Sequence, residues 1–163
     1  MSLNGGLPVF VGIVSDSHDN VPLIERAVRL LGDLGAEVIL HAGDIVSPFA
    51  AKKLTESGIR VYAVYGNNDG EKEGLAKVLD VAPGPRRVEL AGKTFVLAHS
   101  LAQVKDADKQ GADVIIHGHT HKPVIETGPP LIINPGECGG WLYGRCTVAM
   151  LYTDDMNVEV LPL

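Results

Sequence analysis

The stretch 7-LPVFVGIVSDSH-18 begins with an almost unbroken apolar run and ends in polar residues. Consecutive Val, Phe and Ile residues, without regular polar alternation, are typical of a strand that is buried on both faces. Such strands belong to parallel sheets, where a helix usually leads to the next strand. The stretch therefore predicts the start of an α/β fold, with Asp16 and His18 just past the end of its first strand.

The alternation of strand and helix continues to residue 69. The predicted elements are a helix at 20–35, a strand at 36–44, a helix at 47–58 and a strand at 59–69. Asn20 and Ser47 are expected to cap the two helices, while Pro22 suits a first turn and Gly35 suits a helix end. This order predicts parallel strands with right-handed crossovers.

The second half of the chain is richer in strands. Helices are predicted near 72–80 and over 101–113, and strands or hairpins at 86–100, 114–119, 123–127, 131–136, 144–153 and 157–163. No repeat or linker divides the sequence, so we predict one domain over residues 1–163. We interpret residues 1–6 as a cloning remnant or a disordered end and leave them out of the fold prediction.

The composition excludes several classes of protein. Of 163 residues, 45% are hydrophobic and 21% charged, as in globular domains and unlike disordered chains. The net charge of −6 argues against bulk nucleic-acid binding, although bound metal ions can still attract a phosphate ligand. No apolar run reaches the ~20 residues of a membrane span, and no secretory signal is visible, so we predict a cytoplasmic protein. Two cysteines are too few for a disulfide framework or a Cys-based zinc site.

Side chains of the types that bind metal ions follow five of the predicted strands. They are Asp16 and His18, Asp44, Asn67, His99, and the pair His119 and His121. Because ligands bind at the carboxyl ends of strands in open α/β sheets, we expect these seven side chains to meet. Carboxylate, amide and imidazole groups together suit Mn²⁺, Fe²⁺, Ni²⁺ or Zn²⁺ better than Ca²⁺. Seven ligands are too many for one tetrahedral ion but fit two ions that share a carboxylate.

Five short motifs carry a family resemblance. They are 16-DSH-18, 43-GD-44, 66-GNND-69, 98-AHS-100 and 118-GHTH-121. In this order, they resemble the calcineurin-like metallophosphoesterase superfamily, and most closely its small YfcE-like or MJ0936-like phosphodiesterases. The segment 133-INPGE-137 looks like the NPGS of that group, so the resemblance covers nearly the whole chain. It implies an α/β fold built as a four-layer αββα sandwich with two mixed β-sheets.

The resemblance also implies a role for each candidate ligand. One metal ion would be held by Asp16, His18 and His121, the other by Asn67, His99 and His119, with Asp44 as a catalytic bridge between them. Mn²⁺ is the preferred ion, with Ni²⁺, Fe²⁺, Zn²⁺ and Mg²⁺ as alternatives. A water shared by two ions ~3.5–4 Å apart would lose a proton and attack phosphorus in line. The implied activity is hydrolysis of a phosphate ester, with diesters preferred to monoesters.

Two positions depart from the superfamily pattern. Asn68 stands where many members have a histidine that contacts phosphate and protonates the leaving group. Asparagine supplies no proton, so we expect weak activity on poor leaving groups. Ser100 replaces the usual glycine after His99, and it either crowds the metal loop or donates a hydrogen bond. The neighbouring Asp69 is assigned to the catalytic group as a partner of His18, with a plain capping role as the alternative.

Three further polar residues are expected to support the ligands from behind. His41 is interpreted as a packed residue that orients Asp44. His117 either orients the neighbouring histidines or is simply structural. Asn134 either forms a turn or lines the substrate pocket. Taken singly, an aspartate such as Asp16 is typical of a turn or a helix cap. For all seven candidate ligands together, a chance arrangement is a weaker explanation than a shared metal site.

Other function classes remain open from sequence alone. The alternative to an enzyme is a non-catalytic metal-binding scaffold, because a eukaryotic retromer subunit of this fold looks like an eroded phosphoesterase. A purely structural zinc site is disfavoured, since such sites use closed Cys/His shells. The expected partner is a small-molecule phosphate ester, with no membrane span, and a homodimer is left open.

Overall fold

The computed structural model describes residues 7–163, so residues 1–6, which the sequence prediction set aside, lie outside the described residues. The strands are β1 (Phe10–Val14), β2 (Val38–His41), β3 (Arg60–Val64), β4 (Asp80–Ala82), β5 (Arg86–Leu90), β6 (Lys93–Leu97), β7 (Val114–Ile116), β8 (Pro123–Glu126), β9 (Leu131–Pro135), β10 (Thr147–Tyr152) and β11 (Asn157–Pro162). The helices are α1 (Val21–Asp33), α2 (Pro48–Thr55), α3 (Lys72–Val78) and α4 (Asp106–Lys109), with a 3₁₀ helix at Leu101–Gln103.

The strands form two mixed sheets. The first has the order β11-β10-β1-β2-β3-β4, in which β1 to β4 are parallel and the β10–β11 hairpin adds antiparallel strands. The second has the order β5-β6-β7-β9-β8, in which β6, β7 and β9 are parallel between antiparallel edges. The predicted parallel pairing of the first three strands is therefore confirmed.

Apolar side chains bury three interfaces around the two sheets. Ile13 and Leu40 of the first sheet pack against Phe95 and Ile116 of the second, which makes the centre of the sandwich. The buried faces of α1, α2 and α3 cover the outer side of the first sheet. A smaller cluster around Val96 covers the outer side of the second sheet, where Val104 and Ala112 pack from just after the 3₁₀ helix and α4. The predicted four-layer αββα sandwich is confirmed, although its fourth layer is thin.

The structure corrects three local predictions. The helix predicted over 101–113 is two short pieces, because only Val104 and Ala112 bury side chains there and no continuous apolar face supports a longer helix. The strand β4 was not predicted, since three residues are too short to show a periodicity. Asn20 does not cap α1; its amide donates instead to the carbonyl of Gly139, 2.9 Å away. Ser47 caps α2 as predicted.

Candidate metal centre

The seven candidate ligands meet at one edge of the sandwich. Each lies in a loop just past the carboxyl end of β1, β2, β3, β6 or β7, so both sheets contribute. Backbone hydrogen bonds join these loops: the Asp16 N–H donates to the Gly43 carbonyl over 3.0 Å, and the Gly118 N–H donates to the His99 carbonyl over 2.9 Å. Parallel strands within each sheet end on the same side, which explains why loops distant in sequence converge here.

Asp16, His18 and His121 form the first ligand group, with one ligand atom from each lying within 4.8 Å of the others. Oδ1 of Asp16 lies 3.4 Å from His121 Nε2 and 3.8 Å from His18 Nε2. Asp16 is fully buried, and its other oxygen, Oδ2, accepts hydrogen bonds from the Ser15 hydroxyl and the His119 backbone N–H.

Two atoms of this first group are left without partners. Among residues 7–163, Asp16 Oδ1 and His18 Nε2 are the only buried side-chain polar atoms that make no hydrogen bond. Buried polar groups are rarely left unsatisfied, because their desolvation costs about 1–3 kcal/mol. Asp16 Oδ1 and His18 Nε2 lie 3.8 Å apart, too far for a hydrogen bond, and a carboxylate oxygen and an imidazole nitrogen are ordinary ligands of a divalent cation, so these residues fit a metal ion.

Asn67, His99 and His119 form the second ligand group. His99 Nε2 lies 2.8 Å from Asn67 Oδ1, and His119 Nδ1 lies 3.1 Å from the same oxygen and 3.2 Å from His99 Nε2. The other ring nitrogen of His99, Nδ1, lies 2.7 Å from the Ala42 carbonyl and is placed to donate to it. This contact favours the tautomer whose Nε2 keeps a free lone pair for a metal ion.

Asp44 lies between the two ligand groups. Its Oδ2 is 3.3 Å from His18 Nε2 and 3.4 Å from His99 Nε2. Burial raises the pKa of Asp44, but the His99 imidazole and two hydrogen bonds from Asn68 lower it by more than burial raises it. The net shift of the pKa is therefore downward. The carboxylate is therefore anionic at neutral pH, as a bridge between two cations requires.

Unusual backbone geometry is concentrated in the ligand loops. Five of the seven candidate ligands have a positive φ, namely Asp16 (52°), His18 (40°), Asp44 (59°), His119 (69°) and His121 (61°). Val46, beside the Asp44 loop, has a φ of 89°, which is a clear outlier for a β-branched residue. Strained conformations of this kind cluster at functional sites, where the surrounding structure imposes them.

Two glycines in the motifs are explained by crowding. A Cβ at Gly66 would collide with the Asp44 carboxylate, and a Cβ at Gly118 would collide with the Ser15 hydroxyl and the Asp16 carboxylate. The backbone of one ligand loop thus lies directly against the side chains of another. Any larger residue at either position would push a candidate ligand out of the cluster.

Asp69 organises the Asp44 loop. Its carboxylate accepts four backbone hydrogen bonds of 2.6–2.9 Å, from the N–H groups of Asp44, Ile45, Val46 and Gly66. The predicted pairing with His18 is not among its hydrogen bonds, because these four donors occupy both oxygens. The contacts fit a positioning residue that holds Asp44 in its strained conformation, so the catalytic role assigned to Asp69 from sequence stays a prediction.

His41 is buried behind the site and hydrogen-bonds residues next to the candidate ligands, while its orienting of Asp44 stays a prediction. Its Nδ1 accepts from the Gly43 N–H over 3.1 Å, so Nε2 carries the proton and donates to the Ser17 hydroxyl 3.0 Å away. Full burial lowers the pKa of His41 to about 4, which keeps the ring neutral at physiological pH. His41 thereby links the loops that carry His18 and Asp44.

His117 and Asn134 both contact the loop that carries His119 and His121. His117 is buried and its Nδ1 lies 3.3 Å from the Gly118 carbonyl. The Asn134 amide donates to the Gly118 carbonyl and to the Thr120 hydroxyl, over 3.1 and 3.0 Å. Asn134 is fully buried, and its Oδ1 accepts from the Gly136 N–H over 3.0 Å, which fits the turn among its two sequence interpretations.

Asn68 and Ser100, the two departures from the family pattern, both have defined partners. Asn68 contacts Asp44 through its backbone N–H and its side-chain amide. The Ser100 hydroxyl accepts from the Ala102 N–H and caps the 3₁₀ helix, which answers the sequence alternatives with a third role. The Gln103 side chain completes this capping box by accepting from the His99 and Ser100 N–H groups.

Glu137 is a residue of the site that sequence reasoning missed. It is fully buried, and its Oε2 accepts from His121 Nδ1 over 2.7 Å, which orients that ring. Burial raises the pKa of Glu137, but hydrogen bonds from His121 and from two backbone N–H groups lower it by more than burial raises it. The carboxylate therefore stays ionised. The only sequence signal was the final residue of 133-INPGE-137, which replaces the serine of the NPGS motif.

Two clefts open on either side of the ligand cluster. One, of about 280 Å³, lies beside Asn67, His99 and His119 and is edged by Tyr65 and Lys72. The other, of about 400 Å³, is lined by His18, His121, Trp141 and Leu142.

Among residues 7–163, no helix is long and apolar enough to span a lipid bilayer.

Comparison with known proteins agrees with this geometry. A model of the calcineurin-like phosphoesterase superfamily domain matches residues 9–156. Phosphodiesterase MJ0936 of Methanocaldococcus jannaschii is 38% identical over 94% of this chain and 98% of that protein. Phosphodiesterase YfcE of Escherichia coli is 29% identical over 75% of each chain. A solved structure of a novel archaeal phosphodiesterase superposes with a TM-score of 0.84 at 34% identity, covering 95% of this chain and all of that one.

Proposed function

The chain belongs to the calcineurin-like phosphoesterase superfamily, and we propose that it is a metal-dependent phosphodiesterase with two divalent ions in its site. The nucleophile in this proposal is a hydroxide shared by the two ions, and the substrate is a small-molecule phosphate ester. The observation that carries the proposal is the position of Asp44, whose Oδ2 is within 3.4 Å of a nitrogen from each ligand group. A single carboxylate oxygen between two sets of ligands is the arrangement that a dinuclear centre needs.

The assignment of ligands follows from the two groups of contacts. One ion would be held by Asp16, His18 and His121, the other by Asn67, His99 and His119, with Asp44 shared. Two bound ions would supply a lowered water pKa and neutralise the phosphoryl oxygens. The protein's own contribution is to hold three carboxylate or amide side chains and four imidazoles in fixed positions before the ions arrive.

The side chains around the ligand groups limit the leaving group. The amide of Asn68 is held by Asp44 and supplies no proton, so hydrolysis depends on leaving groups that depart without protonation. The preference for a diester over a monoester rests on the names of the similar proteins MJ0936 and YfcE, which are both phosphodiesterases. We expect Mn²⁺ as the preferred ion, because mixed nitrogen and oxygen ligand sets suit it. We also expect a cytoplasmic location.

Hydrolysis of bis-p-nitrophenyl phosphate with and without Mn²⁺ tests the proposal. The wild-type protein should turn over only when loaded, and Asp44→Asn should abolish turnover, since it removes the bridging charge. Phe49→Ala serves as a matched control, because Phe49 is exposed and lines neither cleft. Absence of metal-dependent hydrolysis would sink the proposal.

The melting temperature and the hydrolysis assay together separate the enzyme from the non-catalytic scaffold that the sequence left open. Mn²⁺ should raise the melting temperature in either case, because a ligand that binds the folded state stabilises it by mass action. Stabilisation without hydrolysis of any diester would favour the scaffold. Neither stabilisation nor hydrolysis would contradict a metal site altogether.

A further inference from the structure

Large apolar side chains are concentrated in the loop Gly140–Gly144. Of the eight large hydrophobic residues that are exposed among residues 7–163, three are consecutive here: Trp141 is 69% exposed, Leu142 60% and Tyr143 49%. Single exposed apolar residues are ordinary, but a contiguous group of this size usually marks a binding surface. The group is not part of the ligand cluster, so its exposure needs a separate explanation.

This loop is held in place although its side chains are open to solvent. The indole Nε1 of Trp141 donates to the His18 carbonyl over 3.1 Å. Glu137 accepts from the backbone N–H groups of Leu142 and Tyr143, over 3.0 and 2.6 Å. A ring that is fixed before a ligand arrives loses little conformational freedom on binding, so it binds more tightly than a mobile one.

The same contacts connect the loop to the metal centre. Glu137 also accepts a hydrogen bond from the ring of His121 and so orients it. Trp141 donates a hydrogen bond to the backbone carbonyl of His18. Trp141 and Leu142 form one wall of the 400 Å³ cleft, and the two imidazoles form the other. A phosphate bound at the ligand cluster would therefore direct one ester substituent into a cleft with an aromatic wall.

The two clefts differ in chemistry. The cleft beside Asn67 carries the cation of Lys72 and the amide of Gln103 at its edge. The cleft beside His18 offers an indole and a leucine side chain, and its lining contains no lysine, arginine or carboxylate. An indole face recognises flat, electron-rich or electron-poor rings, which stack on it, whereas a short alkyl chain gains little there.

We propose that the loop Gly140–Gly144 is a subsite for a planar aromatic substituent of the phosphate ester, which stacks on Trp141. The substituent is an aryl group or a nucleobase, since both present the same flat ring. This inference rests on the proposed phosphodiesterase activity and specifies its substrate class. Trp141 acts in it as a specificity-determining residue, and it neither binds metal nor moves a proton.

Binding can be followed without turnover, because Trp141 is the only tryptophan of the chain. Phenyl phosphate and ethyl phosphate are titrated into the Mn²⁺-loaded protein, and adenosine monophosphate distinguishes a nucleobase from a simple aryl ring. Phenyl phosphate should change the tryptophan emission and bind about tenfold more tightly than ethyl phosphate, within the range of ring stacking on aromatic side chains. Equal affinities by calorimetry, with unchanged emission, would overturn the subsite.

Kinetics on matched diesters provides the second test. Phenyl p-nitrophenyl phosphate and ethyl p-nitrophenyl phosphate share a leaving group and differ only in the retained group. Trp141→Ala should lower kcat/KM for the phenyl ester about tenfold and for the ethyl ester much less. An equal fall on both esters supports the subsite, with the p-nitrophenyl group as its occupant, if Trp141→Phe restores both rates; if Trp141→Phe falls equally, the lost hydrogen bond to His18 is the cause and the subsite is wrong.

Two control variants separate stacking from other effects. Trp141→Phe loses the hydrogen bond to the His18 carbonyl but keeps a ring, so it should retain most of the aryl preference. Phe49→Ala removes an aromatic residue of equal exposure, 68%, outside both clefts, and should change neither ester. If Trp141→Ala behaves like Phe49→Ala on both esters, the subsite is wrong. Should the wild type hydrolyse nothing, the phosphodiesterase proposal fails while the fluorescence titration still decides the subsite.

Discussion

The side-chain amide of Asn68 donates a hydrogen bond to Asp44 Oδ2 over 2.8 Å, and the Asn68 backbone N–H donates to Asp44 Oδ1 over the same distance. The carboxylate between the two ligand groups is thereby fixed at both oxygens by one residue. Asn68 was assigned from sequence to a catalytic position that faces the phosphate. Its contacts in the structure fit a positioning residue for Asp44, and the catalytic role assigned from sequence stays a prediction.

The first prediction concerns the leaving group. Asn68→His should raise kcat/KM on diesters with poor leaving groups more than on p-nitrophenyl esters, because a general acid typically contributes ~10²–10⁴-fold where the leaving oxygen needs a proton. The measurement is a series of diesters with graded leaving-group pKa. Asn68→Ala is the control, since it also releases Asp44 but supplies no acid. A wild-type rate independent of leaving-group pKa would contradict the argument.

The second prediction concerns metal content. Asp44→Ala should lose both ions, because it removes the shared ligand, whereas His18→Ala should weaken only one. Elemental analysis after Mn²⁺ loading and removal of free metal gives the stoichiometry, with two ions expected for the wild type. Phe49→Ala is the control that should keep both. An Asp44→Ala protein that still holds two ions would exclude Asp44 as the bridge.

The third prediction concerns Glu137. Glu137→Ala should lower the affinity for Mn²⁺ about 10- to 100-fold, because His121 loses the partner that orients it. It should also reduce the free energy of unfolding by about 1–3 kcal/mol, since the Leu142 and Tyr143 N–H groups lose their acceptor. Denaturant unfolding and a Mn²⁺ isotherm measure the two effects. Glu137→Gln keeps one acceptor and should be intermediate; unchanged Mn²⁺ affinity in both variants would refute the role.

The fourth prediction concerns acid and the metal-free protein. The folded state holds His41 neutral down to a pH of about 4, whereas the unfolded chain protonates it near the ordinary histidine pKa of 6.5. The unfolded state therefore binds more protons at position 41 between these values, so the contribution of His41 to stability falls as pH drops through this window.

A variant isolates this contribution from the other imidazoles. His41→Asn keeps an acceptor for the Gly43 N–H and removes the titration, so its free energy of unfolding should depend less on pH between about 4 and 6.5 than that of the wild type. Chemical denaturation at several pH values in a chelator gives both curves. Parallel curves would show that His41 is not the group responsible.

Much of the site was predictable because its logic is local. Each buried strand can be predicted from its apolar run, and a polar residue directly after the strand must lie at the carboxyl edge of the sheet. Parallel strands bring such residues together whatever the details of packing, so Asp16, Asp44 and Asn67 were expected to meet and do so. Glycines such as Gly66 and Gly118 mark the places where these loops touch.

The tertiary structure alone decided which groups satisfy one another. The four donors of Asp69, the turn of Asn68 toward Asp44 and the contact of Asn20 with Gly139 depend on distances between loops, and sequence spacing does not encode those distances. Glu137 gave almost no signal, because a single acid at the end of a strand has many ordinary uses.

The position of the exposed aromatic loop follows the same rule. Nothing local in 139-GGWLYGR-145 says that its indole is fixed beside His18, more than a hundred residues earlier in the chain. The sequence by itself determined the fold class and the candidate ligands, because hydrophobic periodicity and strand ends are properties of short segments. Orientation, support and the aromatic wall came only with the packed chain, because hydrogen bonds form between whichever groups the two sheets bring within reach.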